Sequence, residues 1–183
     1  MRENVVAMDA AGAGGMRLVG GDLAVDFVNT IDADVPGGDH LTTYAAFGAW
    51  CERVGLSAGA GTLSDVRTVR AGVDAVLRPL ASGHAPQPEA LAALRDRERD
   101  ALGRAVLRPG GWQWPAGSAL DELVHAGVEL VRSDAHHRLR LCTNCTWLFL
   151  DLSRNHSRRW CSMESCGTQV KIRRLTERRR SQA

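Results

Sequence analysis

Four of the five cysteines in this 183-residue chain fall close together near its C-terminal end: Cys142-x2-Cys145, a gap of fifteen residues, then Cys161-x4-Cys166. Two pairs of thiols at this spacing are the pattern that holds one Zn²⁺ in a tetrahedron, with sulfur about 2.3 Å from the ion. A tight turn can place the first pair on one ion, and the second pair closes the tetrahedron from elsewhere in the chain. The x4 gap is wider than a standard knuckle and suits Cys161 ending a strand and Cys166 sitting in the first turn of a helix. Cys142, Cys145, Cys161 and Cys166 are therefore the expected ligands of one structural zinc. Iron–sulfur clusters also use four cysteines, but the two-pair spacing matches zinc folds better. The fifth, Cys51, lies among apolar residues at helical spacing and reads as a core thiol.

The same stretch is the most basic part of the protein. Residues 132–183 carry 12 Lys+Arg against 4 Asp+Glu, whereas residues 1–131 carry 11 against 17. The formal net charge of +2 hides this split, which points to two modules and an anionic partner for the second. Four thiolates around Zn²⁺ leave the site negative, so neighbouring guanidinium groups also balance it. Arg154, Arg158 and Arg159 sit in and after a turn; Lys171, Arg173, Arg174, Arg178, Arg179 and Arg180 follow the last cysteine. These are the expected phosphate contacts. Duplex DNA is the first partner they suggest, because a helix fits the major groove and arginine reads guanine there. An acidic protein face, including that of the chain's own first module, is the second.

Elements that would position these groups can be read around them. Residues 138–142 and 147–151 read as two strands flanking the first cysteine pair, residues 158–161 as a third, and Ser162 as the cap of a helix from Met163 toward Arg180. Met163, Cys166 and Val170 would then face the metal, while Ile172 and Leu175 would dock on the helical module or on a partner. Knuckle, hairpin and ligand-bearing helix make a treble-clef-like unit. A unit this small has little core of its own, so metal binding would supply much of its folding energy.

The remainder reads as mainly α-helical. Residues 1–16 are Gly- and Ala-rich and read as a flexible tail, not an export signal. A short helix is expected from about Asp22; Asp26, Asn29, Asp32 and Asp34 could line a pocket but are read as caps and solvated loop residues. Tyr44, Phe47, Trp50, Cys51 and Val54 recur at three- and four-residue spacing, with Thr42 or Thr43 before them and Gly55 after. Leu63, Val66, Val69, Val73, Val76, Leu77 and Leu80 form the stripe of a longer helix, and Pro88 suits the first turn of the next. Gly110–Gly111 marks a turn, Trp112–Gln113–Trp114 alternates like a strand, and Ser118 with Asp121 resembles a capping box before a last helix. His136–His137 reads as a surface turn. The expected architecture is a helical bundle with a short β element over residues 17–134, then a zinc finger over 135–183.

The stretch from Cys145 to Gly167, CTWLFLDLSRNHSRRWCSMESCG, resembles the CGNR zinc finger, and GGDLAVDFVNT at 20–30 resembles the opening motif of the ABATE domain. LTTYAAFGAWCERVGL resembles the helix that follows in that domain. The resemblance implies zinc on the four cysteines and a bacterial transcriptional regulator. The two-module layout, separately, suggests the helical domain as sensor of a small molecule or as a homodimerisation module. The motif that names the finger is changed: Cys-Gly-Asn-Arg is here Cys166-Gly167-Thr168-Gln169. No Ser-His-Asp set or phosphate loop occurs, and four thiolates leave no open metal position, so no catalysis is expected. No apolar run approaches the roughly 20 residues of a membrane helix, and clustered reduced thiols fit a cytoplasmic protein.

Overall fold

The computed structural model describes residues 16–182. The flexible tail expected over residues 1–16 lies outside the described residues except at Met16, which is packed in the core instead. Among the described residues, six α-helices and two antiparallel hairpins follow in order: α1 (Leu23–Val28), α2 (Tyr44–Val54), α3 (Leu63–Ala81), α4 (Pro88–Leu102), β1 (Val106–Arg108), β2 (Gly111–Gln113), α5 (Ala119–Arg132), β3 (Leu139–Leu141), β4 (Leu148–Leu150) and α6 (Thr168–Arg180). The protein is mostly helical, as the periodicity predicts.

Local chemistry sets most of these boundaries. Asp22 caps α1 by accepting from the Ala24 N–H at 2.8 Å. Thr43, not Thr42, caps α2, and Gly55 ends it in the left-handed region at φ 80°. Thr62 and Asp65 form a reciprocal capping box at the start of α3. Pro88 occupies the first turn of α4. The capping box expected at Ser118 does not form. Its backbone is not extended (φ −97°, ψ 25°), and its hydroxyl donates instead to the Pro115 carbonyl at 2.7 Å. Asp121 receives the Arg104 guanidinium through two bonds of 2.8 and 2.7 Å. The expected strand 112–114 lies one residue earlier, at 111–113, where Gly111 pairs with Arg108 across the turn.

Phe27, Phe47 and Trp50 pack with centroids 5.5 to 6.3 Å apart, against the buried stripe of α3. Each such ring contributes on the order of 2 kcal/mol of burial. Gly127 of α5 lets the helices close up: a Cβ there would sit 3.3 Å from Val73 and 3.9 Å from Ala24.

The second hairpin belongs to this same core. Leu139, Leu148 and Phe149 are fully buried and join the cluster that contains Phe27 and Val73. Its register pairs Leu139 with Leu150 and Leu141 with Leu148, and the Cys142 N–H to Trp147 carbonyl bond of 2.9 Å extends it. The hairpin thus takes its apolar contacts from the helical part, which a reading of the finger as a nearly coreless unit missed.

Candidate metal centre and nucleic-acid interface

The first cysteine pair lies in the tight turn between β3 and β4, and the strands fix its direction. Cys161 ends an irregular stretch. The third strand expected at 158–161 is absent, because the Arg159 carbonyl is the one acceptor that meets the knuckle there, taking the Thr143 N–H at 3.1 Å and its hydroxyl at 3.2 Å. Single-residue pairing makes no ladder. Cys166 lies inside a π-helical turn, Met163–Gly167, that precedes α6. Ser162 caps this turn, accepting from Ser165 at 3.4 Å, as the sequence predicts, but the helix does not run continuously from Met163. The wide turn, closed by the Gly167 N–H on the Ser162 carbonyl at 3.0 Å, carries Cys166 Sγ to 3.6 Å from Cys161 Sγ.

All four sulfurs lie within 4.8 Å of one another, and Cys145 Sγ is also 3.6 Å from Cys161 Sγ. A zinc tetrahedron with 2.3 Å bonds has a sulfur–sulfur edge of roughly 3.8 Å, so the cluster fits one zinc with little adjustment. Cys142, Cys161 and Cys166 are buried and Cys145 is half-buried. Without a cation the cluster shares protons. Hydrogen bonds from the Cys145 and Cys161 thiols hold Cys142 far below the ordinary thiol range. The bond to Cys142 pushes Cys145 up to about 12, and bonds to Cys142 and Cys145 push Cys161 further up. A divalent cation bound by Cys142, Cys145, Cys161 and Cys166 would replace those protons. Four thiolates would fill its coordination shell, the donor set of a structural site.

Gly167, the glycine of the changed name motif, is buried and closely packed. A Cβ there would meet Met163 Sδ at 3.2 Å and the Trp160 ring at 3.4 Å. Gln169 faces the first knuckle: the Asn144 side-chain amide donates to Gln169 Oε1 at 2.8 Å, and Arg173 donates to Asn144 Oδ1 at 3.1 Å. These two bonds tie α6 to the metal loop.

The predicted cations divide into two sets. Arg154, Arg159, Lys171, Arg173, Arg174, Arg178, Arg179 and Arg180 are exposed. Arg158 differs. Its guanidinium lies 4.7 Å from the Phe149 ring centroid and donates to the Trp160 and Cys161 carbonyls, with longer contacts of 3.5 Å to Leu150 and Val19. It knits the second cysteine pair to the hairpin and to the helical part. Ile172 and Leu175 do not dock on the helical module; they are 58% and 55% exposed, and Met163, expected to face the metal, is exposed as well. Cys51 is a core thiol, fully buried, with burial pushing it up to about 12.

Sequence reasoning missed the residues that seat the finger. Asn29, expected as a cap or loop residue, does close α1 as its C-cap, but it is 1% exposed and its side chain is hydrogen-bonded to the backbone of β4. Asp26, expected to be solvated, is 9% exposed and accepts from the Gly20 N–H at 2.8 Å. Their apolar neighbours in GGDLAVDFVNT were the only available signal. His125 and Glu98 bond at 3.0 Å and come close to Glu129; this group ties α4 to α5.

A helical domain that seats a four-cysteine cluster defines a zinc-finger protein. Residues 138–179 match the CGNR zinc finger, and residues 21–134 match ABATE, described as "Putative stress-induced transcription regulator". The second match covers more than half of the sequence, and the chain belongs to that ABATE family. A search of curated proteins gives no match.

Proposed function

We propose that the chain is a zinc-containing transcriptional regulator of the cytoplasm that binds duplex DNA through α6 and does no catalysis. The observation that carries this reading is the state of α6. Six of its thirteen residues are Lys or Arg, none is buried, and its attachments are the π-turn and the Asn144 tie. A helix held by its root at a rigid metal centre, with its basic surface in solvent, suits a major groove. Arg158 is left out of the interface, because its donors serve carbonyls. Arg159, whose carbonyl meets the first knuckle, supplies further charge beside the centre, and Arg154 supplies it from the loop after β4.

The test is anisotropy with random-sequence duplex across a salt series. Five or six neutralised phosphates give a log–log slope near −5. Charge reversal at Arg174 and Arg178 should abolish the binding while zinc content stays unchanged. Salt-insensitive or absent binding by the zinc-loaded chain favours the alternative, a zinc-stabilised protein-interaction module.

The helical domain is proposed as the sensing half. A groove of about 630 Å³ runs between the loop before α1 and the second cysteine pair, lined in part by Arg17, Asp22, Asp26, Ser162 and Glu164. A small molecule held there would touch both halves. Raised thermal stability of the full chain with a metabolite, lost on Asp26→Asn, is the check.

A further inference from the structure

The exposed side of α6 is not uniformly basic. Ile172 and Leu175 are one turn apart and both more than half exposed, although they are large apolar side chains on an otherwise charged helix. Helical spacing puts Lys171 and Arg178 next to Leu175, and Arg179 one turn beyond it, so the apolar pair is bordered by cations. The residues that hold α6 in place, Gln169 and Arg173, reach instead toward Asn144. The apolar pair is thus largely exposed, with Leu175 on the side of the helix away from the tie and Ile172 flanking it. Its basic border selects an anionic occupant over a second copy of the same positive helix, which would repel it.

In the major groove the one apolar group on a base edge is the C5 methyl of thymine. Resting on the duplex-DNA reading above, we infer that Ile172 and Leu175 are specificity-determining residues that read thymine methyl groups while the flanking cations hold the phosphates. The division of labour is physical. Arg and Lys side chains on the borders give affinity without sequence information, and the two apolar side chains gain free energy only where a methyl meets them. Thr168 and Gln169, at the place of the name motif, lie at the root of the helix, with Gln169 occupied by Asn144, so that readout falls to the next turns.

Selection from a random-sequence duplex pool with the full zinc-loaded chain, followed by deoxyuridine substitution in the selected duplex, tests the inference. Uracil keeps pairing and charge and removes only the methyl. Affinity should fall roughly fourfold for each methyl buried, with the salt slope unchanged. The double variant Ile172→Ala/Leu175→Ala should bind thymine and uracil duplexes equally at that same slope. Both side chains are exposed, so the variant should keep its zinc and its unfolding midpoint. Equal wild-type affinity for thymine and uracil duplexes would overturn the inference and leave duplex binding standing. So would a selection with no sequence preference, or a wild-type dimer that the double variant dissolves. Absence of any salt-dependent duplex binding would instead overturn the function reading itself.

Discussion

Asn29 and Leu148 form a closed ring of two hydrogen bonds. The Asn29 amide donates to the Leu148 carbonyl, and the Leu148 N–H donates to Asn29 Oδ1, each at 2.8 Å and both buried. The side chain behaves as one residue of an extra strand. It satisfies the free edge of β4 where the Gly20 carbonyl, accepting from Leu150 at 2.7 Å, continues the pairing. A residue of the opening motif thereby seats the zinc hairpin from 119 positions away.

Asn29→Ala should therefore be costly. It strands a buried donor and a buried acceptor, each worth about 1–3 kcal/mol when left unpaired. Urea unfolding should show a loss on the order of 2–4 kcal/mol. Asn29→Asp should be no better, because a carboxylate keeps the acceptor but faces the Leu148 carbonyl with a second oxygen. Wild-type stability in either variant would contradict the clamp.

Asp26 gives a pH signature. Burial pushes its carboxyl up to about 6, against the lowering effect of the Gly20 N–H. The folded value lies above the unfolded one, so the native state binds the proton more tightly. The ionised group is a penalty above pH 6 that is relieved as the pH falls toward 4. Two units correspond to about 3 kcal/mol. Asp26→Asn retains an acceptor for Gly20 and should be more stable than wild type at pH 7, with the advantage vanishing near pH 4. A pH-independent difference between the two would rule out this account.

Arg158→Lys separates structure from binding. Lysine keeps the charge but cannot span the Trp160 and Cys161 carbonyls or lie flat over Phe149. We expect faster zinc loss to a chelator and roughly 1–3 kcal/mol lower stability, with an unchanged salt slope for DNA. Arg174→Ala with Arg178→Ala should do the reverse, lowering the slope by about 2 and sparing the zinc.

Much of this was legible in the residues, for identifiable reasons. The cysteine ligands announce themselves because metal chemistry demands a spacing. The helices show because Val66, Val69, Val73, Val76 and Leu77 must share one face of α3. Asn29 did not show, because its partner is remote and its type also suits a cap. The π-turn is invisible because Met163–Gly167 differs from an ordinary helical start only in which carbonyl Gly167 reaches. Arg158 looked like its exposed neighbours because charge alone does not reveal that carbonyls will claim a guanidinium. The hairpin's shared core also moves the metal's role. Zinc is needed less for β3 and β4 than for residues 159–180, where Trp160 and the two cysteines are the members of the apolar cluster.

Duplex binding measured before and after complete zinc removal tests the central claim most directly, with hydrogen exchange run on the same samples. The account predicts salt-dependent binding with a slope near −5 in the loaded chain. On chelation that binding should be lost, with exchange protection lost over residues 159–180 and kept over β3, β4 and α3. Undiminished DNA binding by a chain shown to be metal-free would contradict it.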